Sequence, residues 1–176
     1  MEKSKFNLYL LIGLIILSLI IICLLANQNQ NITKLIDRYK PLKLGDKAYI
    51  FKAYSLDGKP LTIKSETVLL IFFNTSCPTC IANFNELQMS YNKLEAKKIK
   101  IIGISSDPEI KTKYYADHNK LVIPIIVDFE RQIFNRYKIR YVPTVVLVNS
   151  KGKIIFFQQQ NQSLKDSINE IEKLIL

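Results

Sequence analysis

Two cysteines spaced Cys77-x-x-Cys80 are the residues of this chain best suited to chemistry. Thiols at that spacing can hold a metal, anchor a haem, close a loop or exchange with another disulfide. A structural zinc site needs four ligands. Beyond the N-terminal apolar segment, His118 is the only further ligand of the Cys/His kind. Haem attachment needs a His directly after the second Cys, and Ile81 stands there. A disulfide closing so short a loop removes little chain entropy. Redox exchange is the chemistry that fits best, and the neighbouring sequence strengthens it.

Upstream lies the unbroken apolar run Val68-Leu69-Leu70-Ile71-Phe72-Phe73. Its β-branched and aromatic character predicts a strand buried on both faces. Asn74-Thr75-Ser76 breaks the run and offers helix caps. Downstream, Ile81, Phe84, Leu87, Tyr91 and Leu94 recur three or four apart, the period of one helix face. A strand thus delivers the dithiol to a helix N-terminus, where unpaired N–H groups and the helix dipole favour a thiolate. Cys77 is then the acidic, attacking thiol, with a pKa below the free value of about 8.5, and Cys80 is the thiol that resolves it.

The chain has 176 residues, 48% of them hydrophobic, and three cysteines. That composition suits one domain of about 130–140 residues with a core that needs no disulfide framework. The charge of +10 comes from lysines scattered singly or in pairs, which reads as a solvated surface and not as a nucleic-acid stripe. No nucleic acid is expected as a partner. Leu8–Ala26 carries no charge and is long enough to span a bilayer. Leu24 and Ala26 make a poor signal-cleavage site, and Ile22 before Cys23 does not suit a lipoprotein. The expected layout is a tail at 1–7, an anchor at 8–26, a polar linker at 27–43 with a short helix near Ile32–Tyr39, and a domain at 44–176. Lys34, Arg38, Lys40 and Lys43 outnumber Lys3 and Lys5, against an exported domain on a plain count. Long domains translocate largely regardless of such charges, so the domain is assigned to the extracytoplasmic side of the cell membrane.

Along the domain, Tyr49–Tyr54 and Leu61–Ile63 flank an Asp57-Gly58 turn and predict a hairpin. Strands follow at Val68–Phe73, Lys100–Ser105 and Leu121–Val127. Helices run from the dithiol, with Cys77 at the start and Cys80 one turn in, to about Lys98, from Asp107-Pro108 to about Asn119, and over Glu130–Tyr137. Pro143–Asn149 and Lys153–Phe157 form a second hairpin, Gln158–Gln162 reads as loop, and Leu164, Ile168, Ile171 and Ile175 mark a last helix. Alternating strands and helices give a sheet covered on both faces.

This order resembles the thioredoxin fold: a central mixed sheet with helices on both faces. The resemblance rests on Cys77-Pro78-Thr79-Cys80, Tyr141-Val142-Pro143-Thr144 and Asn149-Ser150-Lys151-Gly152-Lys153. The single transmembrane helix, the extra N-terminal β-hairpin and the inserted strand–helix unit after Ile104 are similar to the membrane-anchored TlpA/ResA-like branch. The resemblance implies a cis bond before Pro143, a substrate-binding surface at Val142, Pro143 and Thr144, and tuning of the dithiol by Ser76, Pro78 and Thr79. It implies a thiol–disulfide oxidoreductase acting on protein cysteines through the Cys77–Cys80 disulfide, with no other cofactor and no metal. A membrane redox partner would recycle the pair, and cytochrome c maturation or disulfide repair would be the setting. The chain departs from its relatives at Ser76, where they carry Trp. Ile71 and Asn83 stand where a buried Asp or Glu would accept a proton from the second thiol; Glu86 lies a turn further on.

Two other classes compete. A thiol peroxidase of the peroxiredoxin kind would place Thr three residues before its cysteine, whereas Thr75 is two before Cys77. A Cu(I) carrier would use the two soft thiolates without catalysis. His118 and the strand-end residues Asp107 and Asp128 read more simply as helix-end, cap or turn residues.

Overall fold

The structure, a computed structural model, describes residues 2–40, 42–64, 66–159 and 164–174. It divides into two units, Met1–Lys40 and Pro41–Leu176.

The first unit is one helix, α1 (Glu2–Tyr39). Within it Leu11–Thr33 is long and apolar enough to cross a bilayer. The polar run after Ala26, expected as a linker, continues the helix without a break. The reason is cooperative: Asn and Gln cost little against Ala, and a helix already nucleated extends cheaply.

The second unit contains β1 (Lys52–Tyr54), β2 (Pro60–Thr62), β3 (Thr67–Phe73), α2 (Pro78–Ala96), β4 (Ile99–Ser105), α3 (Glu109–His118), β5 (Ile125–Val127), α4 (Gln132–Arg136), β6 (Thr144–Val148), β7 (Ile154–Gln159) and α5 (Leu164–Leu174). Five strands form one sheet in the order β5-β4-β3-β6-β7. The pairs β3/β4 and β4/β5 are parallel, whereas β3/β6 and β6/β7 are antiparallel. The hairpin β1–β2 stands apart as its own small sheet. Gly58, at φ +76°, makes its turn. The Leu56 N–H donates to the Ile125 carbonyl at 2.8 Å, so the hairpin tip covers the outer edge of the large sheet. This is the thioredoxin architecture expected, with both of its additions.

β3 is the middle strand, and all six residues of its apolar run are at most 2% exposed. Leu69, Ile71 and Phe73 face Phe84, Leu87 and Leu94 of α2 and Ile168 and Ile171 of α5. Val68, Leu70 and Phe72 face Phe51, Leu61, Phe134 and Tyr137. Burying each such side chain is worth about 1.5–3 kcal/mol. Tyr91 is half-buried on the expected face of α2, while the Ile81 side chain lies outside the described residues. With so few glycines, the chain ends α2, α3 and α4 on left-handed lysines instead, Lys98, Lys120 and Lys138.

Two boundaries differ from expectation. Of Leu121–Val127 only Ile125–Val127 is strand. Pro124 has no N–H to give the ladder, and its carbonyl accepts from the Gly103 N–H at 2.9 Å. Gln158 and Gln159 are not loop: they pair with Val145 and Thr144 on the edge strand β7. Gln160–Gln162 and Ile175 lie outside the described residues.

Candidate active site

β3 ends at Phe73, and four residues carry the chain to Pro78, the first residue of α2. Proline suits that position, because the first helical N–H has no partner to lose. The cap is not Asn74, Thr75 or Ser76 but Cys77 itself, extended at φ −94° and ψ 106°. Its Sγ accepts the Cys80 N–H at 3.1 Å. A sulfur therefore occupies the place where capping oxygens usually sit, sharing the Cys80 N–H with the Cys77 carbonyl, which accepts it at 3.1 Å as well.

Cys77 and Cys80 form a disulfide, with Cα atoms 5.3 Å apart. Cys80 is 1% exposed and belongs to the apolar cluster of Phe73, Phe84 and Leu87, whereas Cys77 is only half-buried at its margin. Ser76, Pro78 and Thr79 are exposed around it.

The connecting loop is pinned from the side. The Thr75 N–H and hydroxyl both donate to Asp107 Oδ2, at 2.6 and 2.9 Å. Asp107 follows β4, the parallel neighbour of β3, so the two strand ends lie side by side. Its own N–H donates to Ser105 Oγ at 3.2 Å, and its carbonyl accepts from the Thr112 hydroxyl at 3.3 Å. Ser105 and Thr112, both fully buried, share a hydrogen bond of 2.8 Å. The sequence suggested Asp107 as a cap of α3, yet it makes no side-chain cap bond there and serves the dithiol loop instead. An aspartate just past the strand next to the Cys-x-x-Cys strand was the available signal. Asp128 lies three residues before Arg131, the cap position of α4, and its carboxylate accepts the Phe134 N–H in the first turn at 2.8 Å.

The second motif arrives at the same end of the sheet. Thr144 pairs with Phe72 in the β3/β6 register, which places Tyr141–Pro143 beyond the end of β3 that leads to Cys77. The Val142–Pro143 peptide is cis. Val142 is half-buried and packs against the cluster that holds both cysteines. Pro143 is half-buried as well. Thr144 corrects the expectation that it meets substrate: it is 0% exposed, and its hydroxyl donates to the Tyr141 carbonyl at 2.7 Å. It shapes the loop from within.

Ile71 is 2% exposed in the cluster that contains Cys80, so this strand offers the buried thiol no carboxylate. The Asn83 side chain lies outside the described residues. Tyr115 packs on Phe73 and Phe84 at centroid distances of 5.8 and 6.2 Å. Its buried hydroxyl has no partner among the described residues, and burial pushes its pKa up to about 12. His118 ends α3, exposed and stacked on Tyr114 at 5.8 Å. Among the described residues, no three of His, Cys, Asp or Glu gather in a set that could hold a metal.

A family model described as the AhpC/TSA family matches residues 44–157. The thiol-disulfide oxidoreductase ResA of Halalkalibacterium halodurans is 26% identical over 117 residues, covering 64% of this chain and 66% of that protein. ResA of Bacillus cereus is 26% identical over 137 residues, covering 74% of this chain and 79% of its own. Among solved structures, a putative thiol:disulfide interchange protein DsbE from Chlorobium tepidum superposes with a TM-score of 0.69 at 19% identity, covering 76% of this chain and 98% of that one.

Proposed function

The chain belongs to the AhpC/TSA family, and from that premise we propose that it is a thiol–disulfide oxidoreductase, tethered to the membrane by α1, that acts on protein cysteines outside the cytoplasm. The observation that carries this reading is the asymmetry of the pair: a half-buried Cys77 Sγ at the cap of α2, bonded to a Cys80 that is 1% exposed.

Only the outer sulfur can meet the disulfide of a folded or extended polypeptide. In the reduced enzyme the Cys77 thiolate attacks one substrate sulfur. A Cys77–substrate bond forms, the substrate S–S bond breaks, and the departing thiolate takes up a proton. Cys80 then loses its proton and attacks Cys77 Sγ, which restores the Cys77–Cys80 disulfide and releases the second substrate thiol. Two electrons pass from enzyme to substrate. Run backwards, the same steps oxidise a dithiol, and the potentials of the partners set the direction. The helix N-terminus favours the thiolate on Cys77 in either direction. Val142 and Pro143 supply the surface on which a substrate segment lies, with the Val142 backbone available for strand-like pairing. Asp107 is a positioning residue: through Thr75 it fixes the loop from which Cys77 projects.

The apolar span Leu11–Thr33 supports the tether. A membrane redox partner recycles the pair. Apocytochrome c cysteines and misoxidised exported proteins are the two substrate classes we put forward. A peroxidase reading gains nothing from Thr75, whose N–H and hydroxyl are both committed to Asp107. The test is turnover: the reduced full chain should reduce a protein disulfide such as that of insulin, and Cys77→Ser should abolish this. Parent activity no faster than a free dithiol would overturn the reading.

A further inference from the structure

Two lysines more than a hundred residues apart in sequence meet in space. Lys47 and Lys153 face each other directly across an antiparallel bridge. The backbone fixes this edge. The Gly45 N–H donates to the Ile154 carbonyl at 2.7 Å, the Ala48 N–H to the Gly152 carbonyl at 2.9 Å, and the Ile154 N–H to the Asp46 carbonyl at 2.9 Å. Lys43 and Lys151 flank the bridge, and all four lysines are exposed. Like charges directly opposite in a strand pair are destabilising, and among the described residues none of the four has an ion-pair partner. The one carboxylate in the segment, Asp46, accepts the Lys43 backbone N–H at 2.9 Å. Two apolar side chains belong to the same segments: Leu44, next to Lys43 in the chain, is 67% exposed, and Ile50, whose Cδ1 stands beside Gly152, is 40% exposed.

We propose that Lys43, Lys47, Lys151 and Lys153, with Leu44 and Ile50, form a docking face for anionic phospholipid headgroups. The inference rests on the tethered reading of α1. The occupant is argued from three features. Four lysines without an ion-pair partner among the described residues, against the one carboxylate Asp46, suit a surface of closely spaced phosphates. Exposed aliphatic side chains among them suit the boundary between headgroups and acyl chains. The chain also enters the domain at this edge, since only Lys40, Pro41 and Leu42 separate the end of α1 from Lys43. The face has a consequence for the redox chemistry. Val148 pairs with Val68 and Thr144 with Phe72, so the β6–β7 turn lies at the start of β3 while Cys77 follows its end. The length of β3, about 20 Å, then holds the dithiol away from the lipid and open to substrates from the aqueous side.

The experiment is amide hydrogen exchange on the full chain in nanodiscs of phosphatidylcholine alone or with phosphatidylglycerol. Exchange over residues 43–50 and 150–154 should slow several-fold in the anionic discs, recover at high salt, and recover in a variant with all four lysines changed to Gln. Exchange in β3 and β4 should stay at the parent level in that variant, which confirms its fold. Equal exchange in both lipids overturns the proposal, as does protection that survives the four substitutions. Protection by soluble polyglutamate but not by phosphatidylglycerol overturns it in favour of an acidic protein partner. A chain that incorporates into neither disc overturns the tether and this inference together, whereas incorporation without anionic protection overturns this inference alone.

Discussion

Phe72 and Phe73 are neighbours in β3, and each opens a three-ring cluster on its own face of the sheet. Phe72 meets Phe134 edge-on at 5.0 Å and Tyr137 at 5.5 Å. Phe73 meets Phe84 edge-on at 4.8 Å and Tyr115 at 5.8 Å. Composition and geometry nearly match, yet the two clusters are finished differently. On the Phe72 face the Tyr137 hydroxyl donates to the Tyr49 carbonyl at 2.9 Å, and Arg131 lies over the Phe134 ring at 4.6 Å. On the Phe73 face the Tyr115 hydroxyl has no partner among the described residues, and the cluster includes Cys80. One face is a completed structural core. The other carries the dithiol and keeps a polar group unsatisfied, as functional sites often do.

The largest expected effect would separate the faces by function. Phe84→Ala and Phe134→Ala should each cost about 3–5 kcal/mol, measured by urea unfolding. Only Phe84→Ala should change the chemistry: with its packing gone, Cys80 of the reduced protein becomes open to alkylation, while in Phe134→Ala it stays protected. Equal exposure of Cys80 in both would dissolve the distinction.

The tyrosines sharpen it at a smaller scale. Tyr137→Phe removes a made hydrogen bond and should cost about 1 kcal/mol. Tyr115→Phe removes an unsatisfied buried hydroxyl and should be neutral or stabilising by up to about 1 kcal/mol. A clear loss of stability in Tyr115→Phe would mean that this hydroxyl has a partner in solution.

The smallest effect lies at the tip of the β1–β2 hairpin. Hydrogen bonds from Lys59 and then Ser55 hold the Asp57 carboxyl down from 3.8 to about 2. A carboxyl depressed in the folded state stabilises it above its unfolded pKa and loses that contribution as pH falls through the folded value. The hairpin should therefore loosen between about pH 4 and pH 2, ahead of the dithiol face, with Asp57→Asn removing the dependence. Amide exchange of Leu56 and Gly58 against pH would show it.

Much of this arrangement is legible in the residues. The apolar run of β3 announces burial on both faces, and the spacing of Phe84, Leu87 and Leu94 announces which side of α2 is buried. The Cys-x-x-Cys at the junction places the dithiol at a helix start. Local pattern does not reveal long-range partners. Asp107 looks like a cap because the sequence shows Pro108 after it, but not Thr75 across the parallel strand. Gln158 and Gln159 look like loop because they are polar, although an edge strand needs their backbone and not their side chains. Thr144 is expected at the substrate surface because it follows Val142-Pro143 in the motif, whereas pairing with Phe72 on the middle strand leaves it 0% exposed. The lysine pair across the bridge is invisible until the chain brings Lys47 beside Lys153.

Cys77 attacks and Cys80 resolves, and trapping reads this order directly. The full chain, reduced and carrying either Cys80→Ser or Cys77→Ser, is mixed with a protein disulfide at neutral pH, quenched with acid and weighed by mass spectrometry. Cys80→Ser should accumulate the enzyme–substrate mixed disulfide toward one per chain, because nothing remains to displace it, and Cys77→Ser should accumulate essentially none. Equal or faster trapping by Cys77→Ser would contradict the account, since the sulfur that is 1% exposed would then be the nucleophile.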